Sequence, residues 1–316
     1  MNMKDLKIVI AFGILITGIF SSCKDEPPYI NYTAPQSTFD TSYIISPIPA
    51  AQLKEVLIED GSGASCGNCP TAAQVAEAIV SANPSRKINV YTIYPNLPFG
   101  GLTYPVNKPP VVSKYDYRTD AGAEIMSFVT LSTLPSGYID RYKLPGNPDW
   151  YISNTNWSSV VSSELNQTTL VNIDMSSQYN STSNKLTVNL TLTYTKADSG
   201  NNFINIVILQ DSMIDAQESK DANGFFIYDS AYVHNHTLMD MLTAHTGDLL
   251  NKNADRTLVP GRVFKISYEK ILSPRNSSPS SYPQPQWDPK HLSILAFVTE
   301  SPTTKYVLQS KLVKVQ

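Results

Sequence analysis

Apolar positions divide the chain into stretches of different texture. A continuous apolar run, Ile8 to Phe20, follows a basic start with Lys4 and Lys7. The segment "PPYINYTAPQSTFDTSYIISPIPA" lacks both helical and strand periods and reads as a Pro/Ser/Thr-rich spacer. "KEVLIED" (54–60) is a short strand-like run that ends in two carboxylates. Beyond a Gly/Ser loop, Ala72, Ala73, Val75, Ala76, Ile79 and Val80 recur at helical spacing. "NPSRK" stops that helix, and "INVYTIYP" predicts a β-branched and aromatic strand. A loop of about 20 residues, "NLPFGGLTYPVNKPPVVSKY", comes next; its Pro, Gly and aromatic content predicts an ordered cover near the preceding helix start. Residues 115–129 then predict a second helix, 132–142 a proline-led strand, and 154–165 a closing helix.

From Thr168 the pattern changes to alternation. "KLTVNLTLTY" places Leu186, Val188, Leu190 and Leu192 on one face with polar residues between them. "TTLVNIDMSSQY" precedes it; "FINIVILQD", "RVFKISYEKIL", "HLSILAFVTE" and "KYVLQSKLVKV" follow. Six β-type segments parted by turn-rich linkers predict an antiparallel β-sandwich, with sheet faces that are half polar. One interruption, 212–261, is long and carries the aromatics of 225–232, which either contact a ligand or seal a junction.

Length and charge narrow the class. The thirteen residues from Ile8 to Phe20 fall short of the about 20 that a spanning helix needs. A basic start, a short apolar core and small residues after it are the parts of a secretory signal; a short anchor or a buried helix is the other reading. The full chain has 24 basic and 27 acidic residues, net −3; without residues 1–22 (Lys4, Lys7, Asp5) the balance is 22 to 26, or −4. No basic patch announces nucleic-acid binding. The sequence beyond the spacer is long enough for two domains.

"IFSSC" resembles the bacterial lipobox, which implies cleavage after residue 22 and lipidation of Cys23. Acyl chains at about 0.8 kcal/mol per buried CH₂ would hold the protein at a membrane. Lys24-Asp25-Glu26 resembles the surface-export signal of Bacteroidota lipoproteins; a plain charged start to a tether is the alternative.

The remaining cysteines, Cys66 and Cys69, stand in "GSGASCGNCPTAAQ" and are candidates for a redox pair, half a metal site, or a staple. At a helix start the free N–H groups and the helix dipole favour a thiolate at the first cysteine. The second lies one turn on, close enough to close a disulfide, and Pro70 is tolerated in a first turn. A structural zinc site wants four ligands. The third cysteine is Cys23, and His234, His236, His245 and His291 all fall in the later region, where they read as structural or surface residues. No metal and no cofactor is expected.

The order strand, CxxC, helix, strand, helix, proline-led strand, helix resembles the thioredoxin fold. That resemblance makes Pro135 in "TLPSGYID" the cis-proline facing the CxxC. It also makes Asp60, six residues before Cys66, the buried carboxylate that serves the second cysteine; a strand-end acid facing solvent is the other reading. Gly67-Asn68 replaces the Gly-Pro of efficient thioredoxins, and Ser65 stands where a Trp is usual. The lipobox, "VLIED…CGNCP", "LPSGYIDR" and "ILQD…YVHNHTL" together resemble the 28-kDa outer-membrane-protein family of Bacteroidota.

The family resemblance implies a signal peptide at 1–22, a tether at 23–50, a thioredoxin-like domain at 51–166, and an immunoglobulin-like sandwich at 167–316. Two functions follow. One is a surface lipoprotein that binds a protein or glycan and whose CxxC is a fixed disulfide. The other is a thiol–disulfide oxidoreductase with Cys66 as nucleophile, Cys69 as resolving cysteine, and Pro135 and Asp60 in support. The membrane partner is the outer membrane, reached through the lipid on Cys23, with the protein displayed at the surface or, alternatively, held on the periplasmic face. Asp211-Ser212-Met213 and Asp229-Ser230-Ala231 fit an Asp-Ser-apolar O-glycosylation pattern at Ser212 and Ser230.

Overall fold

The computed structural model describes residues 36–316; the apolar run at 8–20, Cys23 and Lys24-Asp25-Glu26 lie outside them. The chain forms β1 (Phe39–Ile44), β2 (Val56–Gly61), α1 (Cys69–Ala82), β3 (Ile88–Ile93), β4 (Asn107–Lys108) and β5 (Val111–Val112). It continues through α2 (Asp120–Phe128), β6 (Ser136–Ile139), α3 (Trp157–Glu164), β7 (Val171–Asn180), β8 (Lys185–Tyr194) and β9 (Phe203–Gln210). The rest is β10 (Met213–Lys220), β11 (Phe226–His234), β12 (Thr237–Met241), β13 (Asp248–Leu249), β14 (Arg262–Ile271), β15 (Leu292–Thr299) and β16 (Val307–Lys314). Every helix and strand expected from periodicity has a counterpart here.

One large sheet has the order β16-β15-β9-β12-β3-β2-β6, with β13 paired on β9. β2 and β3 run parallel, and β6 runs antiparallel to β2. On one face of these strands Val56, Ile58, Val90 and Ile139 pack against Ala72, Ala76 and Ile79 of α1 and Trp157 and Val161 of α3. The other face, through Leu57, Tyr91 and Ile93, packs on Ile125 and Met126 of α2. Alternation along each strand thus feeds two cores at once.

The second sheet, β1-β14-β8-β7, is antiparallel throughout. Its inner face, with Ile173, Leu186, Val188, Leu190, Leu192 and Phe264, meets Ile204, Ile206, Ile208, Ile294 and Val298 of β9 and β15. These two strands depart from the half-polar expectation: β15 is buried along its whole length, and β9 everywhere after Phe203. Val207, Leu209, Leu295 and Phe297 point the other way, into the α2 core. A sheet covered on both faces needs a near-continuous apolar run, which "INIVIL" supplies.

The joint between the helix-flanked and sandwich regions is β12, which comes from the 212–261 interruption. It pairs antiparallel with β9 and parallel with β3, and Thr92 N donates to His236 O at 2.8 Å. Buried polar groups cross the same boundary. Lys54 Nζ lies 3.1 Å from Asp140 Oδ2 and 3.2 Å from Glu164 Oε2, and donates to the Val307 carbonyl at 2.8 Å. The described chain accordingly packs as one unit with no break near residue 166. The expected spacer also contributes structure: Phe39–Ile44 adds β1 to the edge of the second sheet, paired with β14 from Phe39↔Ser267 to Ile44↔Arg262. A short edge strand needs no alternation of its own when a partner supplies the ladder.

Candidate functional site

β2 delivers the chain to Gly61, and a tight loop returns it into α1. Cys66 N donates to Gly63 O at 3.2 Å, and Cys69 N donates to Cys66 O at 3.0 Å, which sets Cys69 as the first helical residue and Pro70 as the second. The two sulfurs are bonded to each other at 2.02 Å. The loop is held from the side by the 96–115 segment. Ser65 N donates to Leu102 O at 3.0 Å, and Ser65 Oγ donates to Tyr104 O at 2.9 Å. A Cβ on Gly63 would stand 2.2 Å from the Leu102 carbonyl oxygen, so glycine is required for this approach.

The disulfide is covered from several directions. Cys66 is 3% and Cys69 1% exposed, and both cluster with Leu134, Phe99, Leu102 and Leu131. The β10–β11 hairpin, about 150 residues away in sequence, closes over the loop. Gln217 Nε2 donates to the carbonyls of Gly63 (3.0 Å) and Cys66 (3.3 Å), and Glu218 N donates to Ala64 O at 2.8 Å. The Phe226 ring lies against Gly67, where a Cβ would come within 2.4 Å of its carbons. Its outer face is open: Phe226 is 58% and Phe225 70% exposed, with Ile227 and Tyr228 also exposed beside them.

A groove of about 370 Å³ lies beside the loop, lined by Asn68, Thr133, Pro135, Trp157 and, from the hairpin, Lys220. The Leu134–Pro135 peptide is cis, and Pro135 precedes β6. Asn68 is the exposed member of the dipeptide between the cysteines, whereas Gly67 is buried.

Glu59 and Asp60 face opposite sides of β2. Glu59 Oε2 and Oε1 accept from Arg141 Nε (2.7 Å) and Nη2 (2.8 Å), and the Tyr91 hydroxyl donates to Oε1. Asp60 turns toward α1. It is 1% exposed, so it does not face solvent, and its Oδ1 has no hydrogen-bond partner. Burial pushes its carboxyl well above the usual carboxylate range.

The histidines separate into different roles. His234 is buried at the end of β11. Its Nδ1 lies 2.8 Å from the Tyr94 hydroxyl, and the Tyr117 ring stacks on it at 4.3 Å. Burial drives its pKa down to about 3, so it is neutral. His236 pairs with Asp211 at 3.0 Å and His245 with Glu124 at 3.1 Å. His291 sits 3.9 Å from Asp288 at the surface. Among the described residues no group of three or more His, Cys, Asp or Glu is placed to hold a metal, and no helix is long and apolar enough to cross a membrane. Ser212 and Ser230 are both exposed. The sequence singles out the cysteines, Pro135 and Asp60 as candidates but does not point to Gln217, Phe226 or His234 as parts of their surroundings, because only tertiary pairing brings that hairpin to the loop.

Fold and site define a mixed α/β protein, mostly β-sheet, in which a CxxC is closed as a disulfide beneath a hairpin. The Omp28 outer membrane protein family matches residues 124–316, more than half of the chain, and the chain belongs to that family. The match begins within α2, so the CxxC lies outside it. Among solved structures, HBP35 of Porphyromonas gingivalis is similar, with a TM-score of 0.59 and 16% identity, over 84% of this chain and 77% of that one. At that identity the likeness is one of fold. No curated protein matches the chain.

Proposed function

We propose that the protein is a lipid-anchored outer-membrane lipoprotein that acts at the cell surface as an interaction module. In this reading residues 1–22 are its signal peptide, and Cys23 carries the acyl chains. Lys24-Asp25-Glu26 directs export, and the tether ends before β1 rather than at residue 50. Residues 51–166 are a thioredoxin-like region and 167–316 an immunoglobulin-like one. Ser212 and Ser230 carry glycans, and the partner is a protein or glycan.

The observation that carries the reading is the closed, covered disulfide. Cys66 and Cys69 are nearly without exposure while the hairpin above them turns Phe225, Phe226, Ile227 and Tyr228 outward. A redox pair needs an accessible first sulfur. Here the disulfide fixes the loop carbonyls that accept from Gln217 and Glu218, and so fixes the base on which the aromatic tip stands. The tip offers the apolar and aromatic surface that protein interfaces favour.

A second reading, a thiol–disulfide oxidoreductase, is favoured by the groove beside Pro135 and Asn68 and by the buried Asp60. There Cys66 would attack a substrate disulfide, Cys69 would resolve the mixed disulfide, and an envelope dithiol would supply the electrons.

Insulin reduction with dithiothreitol, compared between the mature protein and Cys66→Ser, separates the two. Equal rates support the interaction module; a rate that depends on Cys66 supports the oxidoreductase. Protease shaving of intact cells tests the address, with cleavage expected and full protection contradicting surface display.

A further inference from the structure

Between α1 and the end of β11 lies a cavity of about 270 Å³. Asp60 and Tyr94 reach it from the sheet, Ala73, Glu77 and Val80 from α1, and His234 from the hairpin. Two polar atoms of its lining residues have no hydrogen-bond partner: Asp60 Oδ1 and His234 Nε2, each in a side chain about 1% exposed.

The isolation of Asp60 is singular among the buried acids. Glu59 is met by Arg141, Asp140 and Glu164 by Lys54, Asp116 by Arg118, and Glu55 by Lys311. Asp215 accepts from the backbone N–H groups of Lys114, Tyr115 and Ala216. Asp60 alone among these described acids has neither a cation nor a backbone donor. A buried carboxyl is ordinarily paired because its desolvation is otherwise uncompensated. No Lys or Arg lines the cavity; His236, at its rim, is already paired with Asp211 at 3.0 Å, and a second acid, Glu77, stands at its exposed edge. The lining therefore offers an anion no unpaired cation. What the site lacks is a cation with N–H donors and an apolar body to lie along Ala73 and Val80.

We propose that this cavity binds a small organic cation of the amidine or amine class, its N–H groups engaging Asp60 and its apolar part packed on α1. His234, neutral and held against the Tyr94 hydroxyl at 2.8 Å, forms part of the cavity wall without competing for the cation. The site does not depend on whether the disulfide turns over.

Benzamidine titrated calorimetrically into the mature, disulfide-intact protein tests this, with benzamide as a neutral molecule of the same shape. Saturable benzamidine binding is expected, with benzamide weaker by about tenfold or more. Asp60→Asn, which keeps the side-chain volume, should weaken benzamidine by about tenfold, or about 1.4 kcal/mol. Ala73→Phe should also weaken it, by filling the mouth while leaving the carboxyl in place. If Ala73→Phe loses its near-ultraviolet dichroism, Asp60→Asn alone decides. Absence of saturable benzamidine binding, equal affinity for benzamide, or unchanged affinity in folded Asp60→Asn would each overturn the proposal.

Discussion

Glu59 and Asp60 are sequence neighbours in unlike surroundings, and the two faces of β2 differ in the same way. On the α2 face Glu59 is locked by two hydrogen bonds from Arg141 and one from Tyr91, inside a continuous apolar core. On the α1 face Asp60 borders a cavity and meets no counter-charge. One face is finished as structure. The other keeps a carboxyl to which the fold supplies no counter-charge, beneath the helix that carries the disulfide. A buried ion pair is weak support for stability in itself, but removing one partner is severe. The two positions should therefore respond to mutation with opposite signs.

The largest effect is expected at Glu59. Glu59→Ala strands the Arg141 guanidinium, which is 1% exposed, and should cost about 3–5 kcal/mol in urea unfolding. A change below about 1 kcal/mol would mean that the pair is not the closed structural unit described.

Asp60→Asn should instead stabilise the protein at neutral pH, by less than Glu59→Ala destabilises it. The sign follows from linkage. Burial raises the carboxyl's pKa in the folded state, so folding favours the protonated form. Below the unfolded pKa of about 3.9 wild type and variant should be equally stable. As pH rises from there through the folded pKa, wild type loses stability relative to the variant. Melting curves between pH 4 and pH 8 check this, and a gap that narrows with rising pH would contradict it.

The smallest stability changes are expected over the disulfide. Phe226→Ala and Gly67→Ala both disturb the ring seated on the loop, one by deleting it and one by forcing it outward. Because Phe226 is more than half exposed, each should change stability by about 1 kcal/mol or less. Each should nevertheless hasten reduction of Cys66–Cys69 by dithiothreitol. Unchanged reduction rates would show that the hairpin does not control access.

Much of the architecture is legible in local pattern, because helices and strands are set by short-range periodicity. The apolar runs of β9 and β15 even carry the mark of a sheet buried on both faces, although alternation in β8 and β14 suggests a free-standing sandwich. What local pattern lacks is partner choice. Nothing in Thr237–Met241 announces that it joins β3 to β9, and nothing in Phe39–Ile44 announces a ladder with β14. The site divides likewise. Cys66, Cys69, Pro135 and Asp60 are near one another in sequence or tied by a known motif. Gln217, Phe226 and His234 reach the loop only because the hairpin folds back over it, and a lone histidine at the end of a strand carries no sign of the cavity it will line.

The central claim is that Cys66 and Cys69 form a covered staple rather than a working couple. The reduction potential of that pair in the purified protein, equilibrated against glutathione or dithiothreitol buffers, tests it most directly. A structural disulfide should lie below roughly −300 mV, beyond the reach of the glutathione pool. A potential near roughly −200 mV, in the range of disulfide-exchange catalysts, would contradict the account and return Asp60 and Pro135 to a redox role.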